Sequence, residues 1–122
     1  MQNYLIRNCT VVNEGIQSVM DVLLVNGRIE KLSSAPITTS LPVTEINGTG
    51  LHLLPGAIDD QVHFREPGLT HKANIYTESR AAVAGGVTSF MEMPNTNPPV
   101  FTQELLENKY DIAARTSLAN LS

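Results

Sequence analysis

Apolar residues cluster in short strand-like stretches through the first fifty-odd positions, and only afterwards do helical intervals enter the pattern. Residues 4–12 are rich in β-branched and aromatic side chains and read as a strand. A short apolar run at 21–25 is followed by Asn26-Gly27 and then by a second run at 28–32. Asn-Gly between two such runs predicts a hairpin, because both turn residues must tolerate positive φ. Residues 33–42, rich in Ser, Thr and Pro, read as a loop, and runs at 43–46 and 51–54 flank a turn at 47–50. The expectation for residues 1–54 is a small, all-β, antiparallel unit.

The pattern changes after Pro55-Gly56. A strand at 57–64 is followed by a polar loop at 65–73 and a helix at 75–84, with Asn74 as its N-cap and Gly85-Gly86 as its stop. A second strand at 87–93 leads to the proline-rich stretch 94–99. Thr102 caps a second helix, on which Leu106, Tyr110 and Ala113 share a face, and a third strand is expected within 116–122. Strand, helix, strand, helix predicts parallel strands joined by crossovers. The predicted class is therefore α/β for residues 55–122. They read as the first two βα units of a TIM-like (β/α)8 barrel, incomplete here and preceded by the β unit. Two βα units bury only part of what a closed barrel of about 250 residues buries. The expectation is an N-terminal piece of a longer protein, completed by the remainder of the same chain or by partner copies in a homo-oligomer.

Composition narrows the function classes. With 42% hydrophobic and 16% charged residues, the 122-residue chain is ordinary for a globular protein. A net charge of −4 argues against a nucleic-acid partner, which calls for a basic patch. No apolar run is long enough to span a bilayer, and the first residues have no secretory pattern, so the cytosol is the expected setting. Cys9 is the single cysteine, which excludes an intramolecular disulfide and a cysteine-only zinc site.

The chemistry concentrates at the end of the first barrel-like strand. On a strand, residues two apart share a face, so Asp59, Gln61 and His63 are expected to point together, with Arg65 where the strand runs out. Imidazole suits zinc, whereas a neutral amide oxygen is a poor ligand for it. His63 is therefore a candidate ligand and Gln61 a weak one; the alternative is a pair hydrogen-bonded to each other. Asp59 and Asp60 lie too early for a catalytic role, and Asp59 is expected to support packing or hydrogen bonding. His52 reads as a packing or surface histidine, and His71, beside Lys72, as exposed.

Three motifs in order resemble the dihydroorotases of the amidohydrolase superfamily: the run from Pro55-Gly56 through Gln61-Val62-His63-Phe64-Arg65-Glu66-Pro67-Gly68, then Gly85-Gly86-Val87-Thr88, then Met93-Pro94-Asn95-Thr96-Asn97-Pro98. The resemblance implies a cyclic amide hydrolase that interconverts N-carbamoyl-L-aspartate and dihydroorotate in pyrimidine synthesis. It implies one or two zinc ions, with His63 at the second position of the family's His-X-His and Gln61 replacing the first. It also implies that Arg65 and Asn95 bind the carboxylate of a small-molecule substrate, and that the catalytic residues lie beyond Ser122. Allantoinases share the motif but carry Asn where this chain has Arg65. A non-catalytic homologue serving as a structural partner, motivated by Gln61, and a hydantoinase- or allantoinase-type hydrolase are the competing expectations.

Overall fold

The computed structural model describes residues 2–122. The chain divides into two compact units, Met1–Pro55 and Gly56–Ser122. In the first, strands β1 (Tyr4–Asn13), β2 (Ile16–Val25), β3 (Arg28–Ser33), β4 (Thr44–Asn47) and β5 (His52–Leu53) form one sheet. Its order is β3-β2-β1-β4, with β5 also on β1. The β2–β3 turn has Asn26 and Gly27 at φ 52° and 77°, as the Asn-Gly signal predicts. Glu14 and Gly15 make the same kind of turn between β1 and β2, at φ 50° and 77°.

The sheet is mixed, a correction to the antiparallel expectation: β4 and β5 both run parallel to β1. The turn at 47–50 does not reverse the chain. Instead the Gly48 N–H donates to the Arg7 carbonyl at 2.8 Å, and a Cβ at Gly48 would stand 2.7 Å from that of Cys9. This close approach keeps β4 and β5 on one line along the same neighbour. The core of the unit is Leu5, Leu23 and Ile37, with Val25 and Val43 packed against it.

Beside that core lies a buried carboxylate. Asp21 accepts from the Asn8 and Ile37 backbone N–H groups, both at 3.0 Å, and from the Arg7 guanidinium at 2.9 Å. The two backbone donors, first Ile37 and then Asn8, hold its carboxyl below the usual range, with Arg7 adding to them. Asp21 thereby fixes the loop after β3, which would otherwise lack a partner at Ile37.

The second unit is β6 (Ala57–Val62), α1 (Ile75–Ala84), β7 (Val87–Glu92), α2 (Gln103–Thr116) and β8 (Asn120–Leu121). The three strands form a parallel sheet in the order β6-β7-β8. Asn74 caps α1 as expected: its side chain accepts from the Thr77 N–H at 2.9 Å, and the Thr77 hydroxyl accepts from the Asn74 N–H. Phe64, Ile75, Phe90 and Ala113 form the core, with the Phe64 and Phe90 rings 4.5 Å apart.

Helix α2 is rotated from the expected phase. Leu106 and Tyr110 are exposed, and the buried positions are Lys109 and Ala113. The rotation follows from a lysine whose ammonium finds acceptors inside, described below. Among the described residues no helix is long and apolar enough to cross a membrane.

Candidate functional site

Two loops meet where β6 and β7 end. The first carries His63, Arg65 and the turn through Gly68; the second runs from Met93 to Pro98. They are joined at the backbone, where the Asn97 N–H donates to the Pro67 carbonyl at 3.1 Å. Gly68, at φ 82°, lies so close to Asn97 that a Cβ would stand 1.9 Å from its carbonyl oxygen. Only glycine fits there, by conformation and by space. Arg65 itself is at φ 68°, a left-handed conformation uncommon for a residue with a side chain. Its carbonyl accepts from the Leu69 N–H at 3.0 Å, closing the turn.

Each loop is also anchored outward. Glu66 accepts from the Ile75 N–H at 2.9 Å, placing a carboxylate at the N-terminus of α1, where it meets an unpaired donor and the positive end of the helix dipole. In the second loop the buried Thr96 hydroxyl donates to the Pro98 carbonyl at 2.9 Å, and Val100 and Thr96 N–H groups both reach the Pro94 carbonyl. The Pro-Asn-Thr-Asn-Pro run is therefore a self-bonded turn that presents Asn95 outward.

This docking brings together two of the residues singled out in the sequence. His63 Nδ1 lies 2.9 Å from Asn95 Oδ1. Because the amide oxygen facing the ring can only accept, Nδ1–H donates to it, and in the neutral ring this tautomer leaves the Nε2 lone pair for a metal. Asn95 Nδ2 has no hydrogen-bond partner among the described residues, so the amide can donate outward. Arg65 is half-buried and likewise makes no ion pair among the described residues, and the neighbouring Glu66 carboxylate is engaged by the N-terminus of α1.

Gln61 is exposed at the end of β6, and its N–H donates to Asp59 Oδ1 at 3.1 Å, a local bond of the kind expected for Asp59. Asp60, His52 and His71 are exposed. For zinc the donor set is short. His63 Nε2 is a suitable ligand, Gln61 offers only a neutral oxygen, and among the described residues no group of three or more His, Cys, Asp or Glu could hold a metal ion. These residues fit one ligand and not a complete zinc site.

Beneath the loops lies a pair that sequence reasoning missed. Glu92, the last residue of β7, accepts from the Phe64 N–H at 3.0 Å through Oε1 and pairs with the Lys109 ammonium of α2 through Oε2. Lys109 also donates to the Met93 carbonyl at 2.9 Å. Both side chains are almost wholly buried, and burial pulls the Lys109 ammonium down to about 8. A lysine in step with Ala113, four residues on, was the available signal.

A family model described as dihydro-orotase-like matches residues 50–120. The chain belongs to that family. Among relatives of the dihydro-orotase-like chain, the dihydroorotase of Streptococcus pneumoniae serotype 4 is 40% identical over 116 residues, covering 93% of this chain and 27% of the relative. An allantoinase from Deinococcus radiodurans is 37% identical over 115 residues, covering 93% of this chain and 25% of the relative. Among solved structures, the L-hydantoinase (dihydropyrimidinase) of Arthrobacter aurescens aligns with a TM-score of 0.88 at 25% identity, over 100% of this chain and 27% of that one. The dihydro-orotase-like chain thus spans about a quarter of the length of the proteins it matches. Its mixed α/β fold is shared with the hydantoinase across the whole of its length.

Proposed function

We propose that these residues form the substrate-carboxylate wall of a cyclic amide hydrolase, and specifically of a dihydroorotase interconverting N-carbamoyl-L-aspartate and dihydroorotate. The observation that carries this reading is the docking of the two loops, which leaves the Arg65 guanidinium and the Asn95 amide as unpaired donors on neighbouring strand ends. A guanidinium offers a planar fork to a carboxylate, and a primary amide adds a further donor. Both carry N–H groups that can donate to an anion, and neither needs a proton transfer to bind one.

The parallel βαβαβ unit is read as the opening of a (β/α)8 barrel, in which site residues sit at the C-terminal ends of strands. His63 and Asn95 occupy such ends, after β6 and β7. Within this reading His63 contributes one ligand to a zinc ion whose other ligands come from outside these residues. Its Nδ1–H bond to Asn95 fixes the ring orientation, as outer partners do for ligating histidines. Gln61 is a weak candidate beside it. The setting proposed is the cytosol, with the barrel completed by further residues of the same chain or by a second copy.

A hydantoinase- or allantoinase-type activity is the second reading, favoured by the TM-score of 0.88 to the L-hydantoinase and by the allantoinase relative. Purified protein carrying this sequence, assayed with dihydroorotate, allantoin and a hydantoin alongside zinc analysis, separates the readings. Turnover of dihydroorotate with bound zinc is the expected result. Preference for either substrate lacking a carboxylate supports the second reading, and absence of both zinc and turnover points to a non-catalytic structural homologue.

A further inference from the structure

We propose that Glu92 and Lys109 are positioning residues that set the spacing between the strand end bearing His63 and Arg65 and the strand end bearing Asn95. The inference rests on the reading of Arg65 and Asn95 as a carboxylate clamp, and it adds the element that holds the clamp at its width. The regular β6–β7 ladder is interrupted between Asp59 and Val62, just before the site. The ladder resumes at the pair Val62 and Glu92, and past the end of β7 the Met93 N–H donates to the Val62 carbonyl at 2.9 Å. Two residues past the end of β6, the Phe64 N–H, between His63 and Arg65, is taken by the Glu92 side chain at 3.0 Å. Glu92 therefore continues by side chain what the ladder no longer does by backbone.

Lys109 completes the tie from the other side. Its ammonium holds Glu92 in place and donates to the carbonyl of Met93, two residues before Asn95. One ion pair thus touches the backbone of both loops, each contact one or two residues from a proposed substrate-binding side chain. Stability alone does not call for this arrangement. Two charges withdrawn from water forfeit hydration that their mutual attraction largely offsets, and an apolar pair of similar volume often serves a core as well. An apolar pair cannot supply directed bonds to an N–H on one loop and a C=O on the other. The cavity of about 300 Å³ beside the pair, lined by Pro94, Phe101 and Leu106, leaves room for the second loop to drift once the tie is cut.

The test is the double variant Glu92→Gln with Lys109→Met, which removes both charges together while keeping an acceptor for Phe64. In full chain competent for dihydroorotate turnover, the expected result is a thermal midpoint near that of the parent. KM for dihydroorotate rises about tenfold while kcat changes less than about threefold, as displacement of a binding group predicts. The ¹⁵N resonances of the His63 ring move away from the Nδ1-protonated pattern. A folded double variant with unchanged KM and unchanged ring resonances overturns the proposal. In the unaltered protein, the Phe64 amide exchanges with solvent as slowly as that of Phe90; rapid exchange there overturns it even where the variant does not fold. Absence of dihydroorotate turnover in the parent counts against the functional reading alone, since the ring resonances and the Phe64 amide still decide the positioning claim.

Discussion

Replacing Gly68 by alanine is the sharpest way to ask whether the two loops are held together by close approach. The backbone at Gly68 has φ 82°, and an added Cβ would meet the Asn97 carbonyl oxygen at 1.9 Å and its carbon at 2.8 Å. Ordinary carbon contacts begin near 3.5 Å, so the loops must part by more than about 1 Å. Such a shift breaks the bond from the Asn97 N–H to the Pro67 carbonyl. A left-handed residue with a side chain costs about 1–2 kcal/mol, and forcing extra volume into a packed place costs about 1–3 kcal/mol. We therefore expect Gly68→Ala to destabilise the chain by about 3 kcal/mol. Gly86 provides the internal control, because it has φ 88° with nothing within 4 Å of a would-be Cβ. Gly86→Ala should carry only the conformational part, about 1–2 kcal/mol. Urea unfolding followed by circular dichroism measures both. Equal destabilisation by the two substitutions would refute the contact between the loops. In an active full chain, Gly68→Ala should further reduce kcat/KM by about a hundredfold, the scale of effect for a group displaced by 1 Å.

Other outcomes follow from the anchors of the two units. Asp21→Asn replaces one of two accepting oxygens by a donor facing a backbone N–H and removes one of the two counter-charges of Arg7, the other being Glu45 at 2.7 Å. A loss of about 2–4 kcal/mol is expected from hydrogen bonds to a charged group, read by chemical denaturation. Because the folded-state pKa of Asp21 is lowered, its contribution is fully present above the unfolded carboxylate value of about 4 and is lost as pH falls through the lower folded value. Acid unfolding profiles of the parent and Asp21→Asn should therefore converge at low pH and diverge above about pH 4. Asn74→Ala removes the cap of α1 and should cost about 1 kcal/mol, visible as a lower urea midpoint, while Asn74→Ser restores most of it.

Much of this architecture is legible in the residues. The extent of α1 and its cap follow from Asn74 and Gly85-Gly86, and the hairpin after β2 follows from Asn26-Gly27. These signals are local: each depends on what a few adjacent residues allow the backbone to do. What escapes is set by distant partners. Nothing near 47–50 announces that the chain will lie parallel to β1, because that depends on Gly48 meeting Cys9 and Arg7. Likewise the phase of α2 is decided by Lys109 finding Glu92 at the end of the preceding strand and Met93 just after it, and a periodicity search scores a lysine as a solvent residue. At the site, residue types point to His63, Arg65 and Asn95, while the contact between His63 and Asn95 requires two loops whose spacing sequence does not state. The support beneath them, Glu66 on α1 and Glu92 on Lys109, reads in sequence as ordinary surface charge.

Arg65 is proposed as a carboxylate-binding residue on a wall shared with Asn95. Calorimetric titration of parent and Arg65→Met full chain with dihydroorotate and with a hydantoin lacking a carboxylate tests it most directly. Hydrogen bonds to a charged group contribute about 1.5–3 kcal/mol, so dihydroorotate affinity should fall by about 10- to 100-fold. Affinity for the hydantoin should stay within about twofold, since Arg65 has no anion to hold there. An unchanged dihydroorotate affinity, or an equal fall for both compounds, would contradict the account.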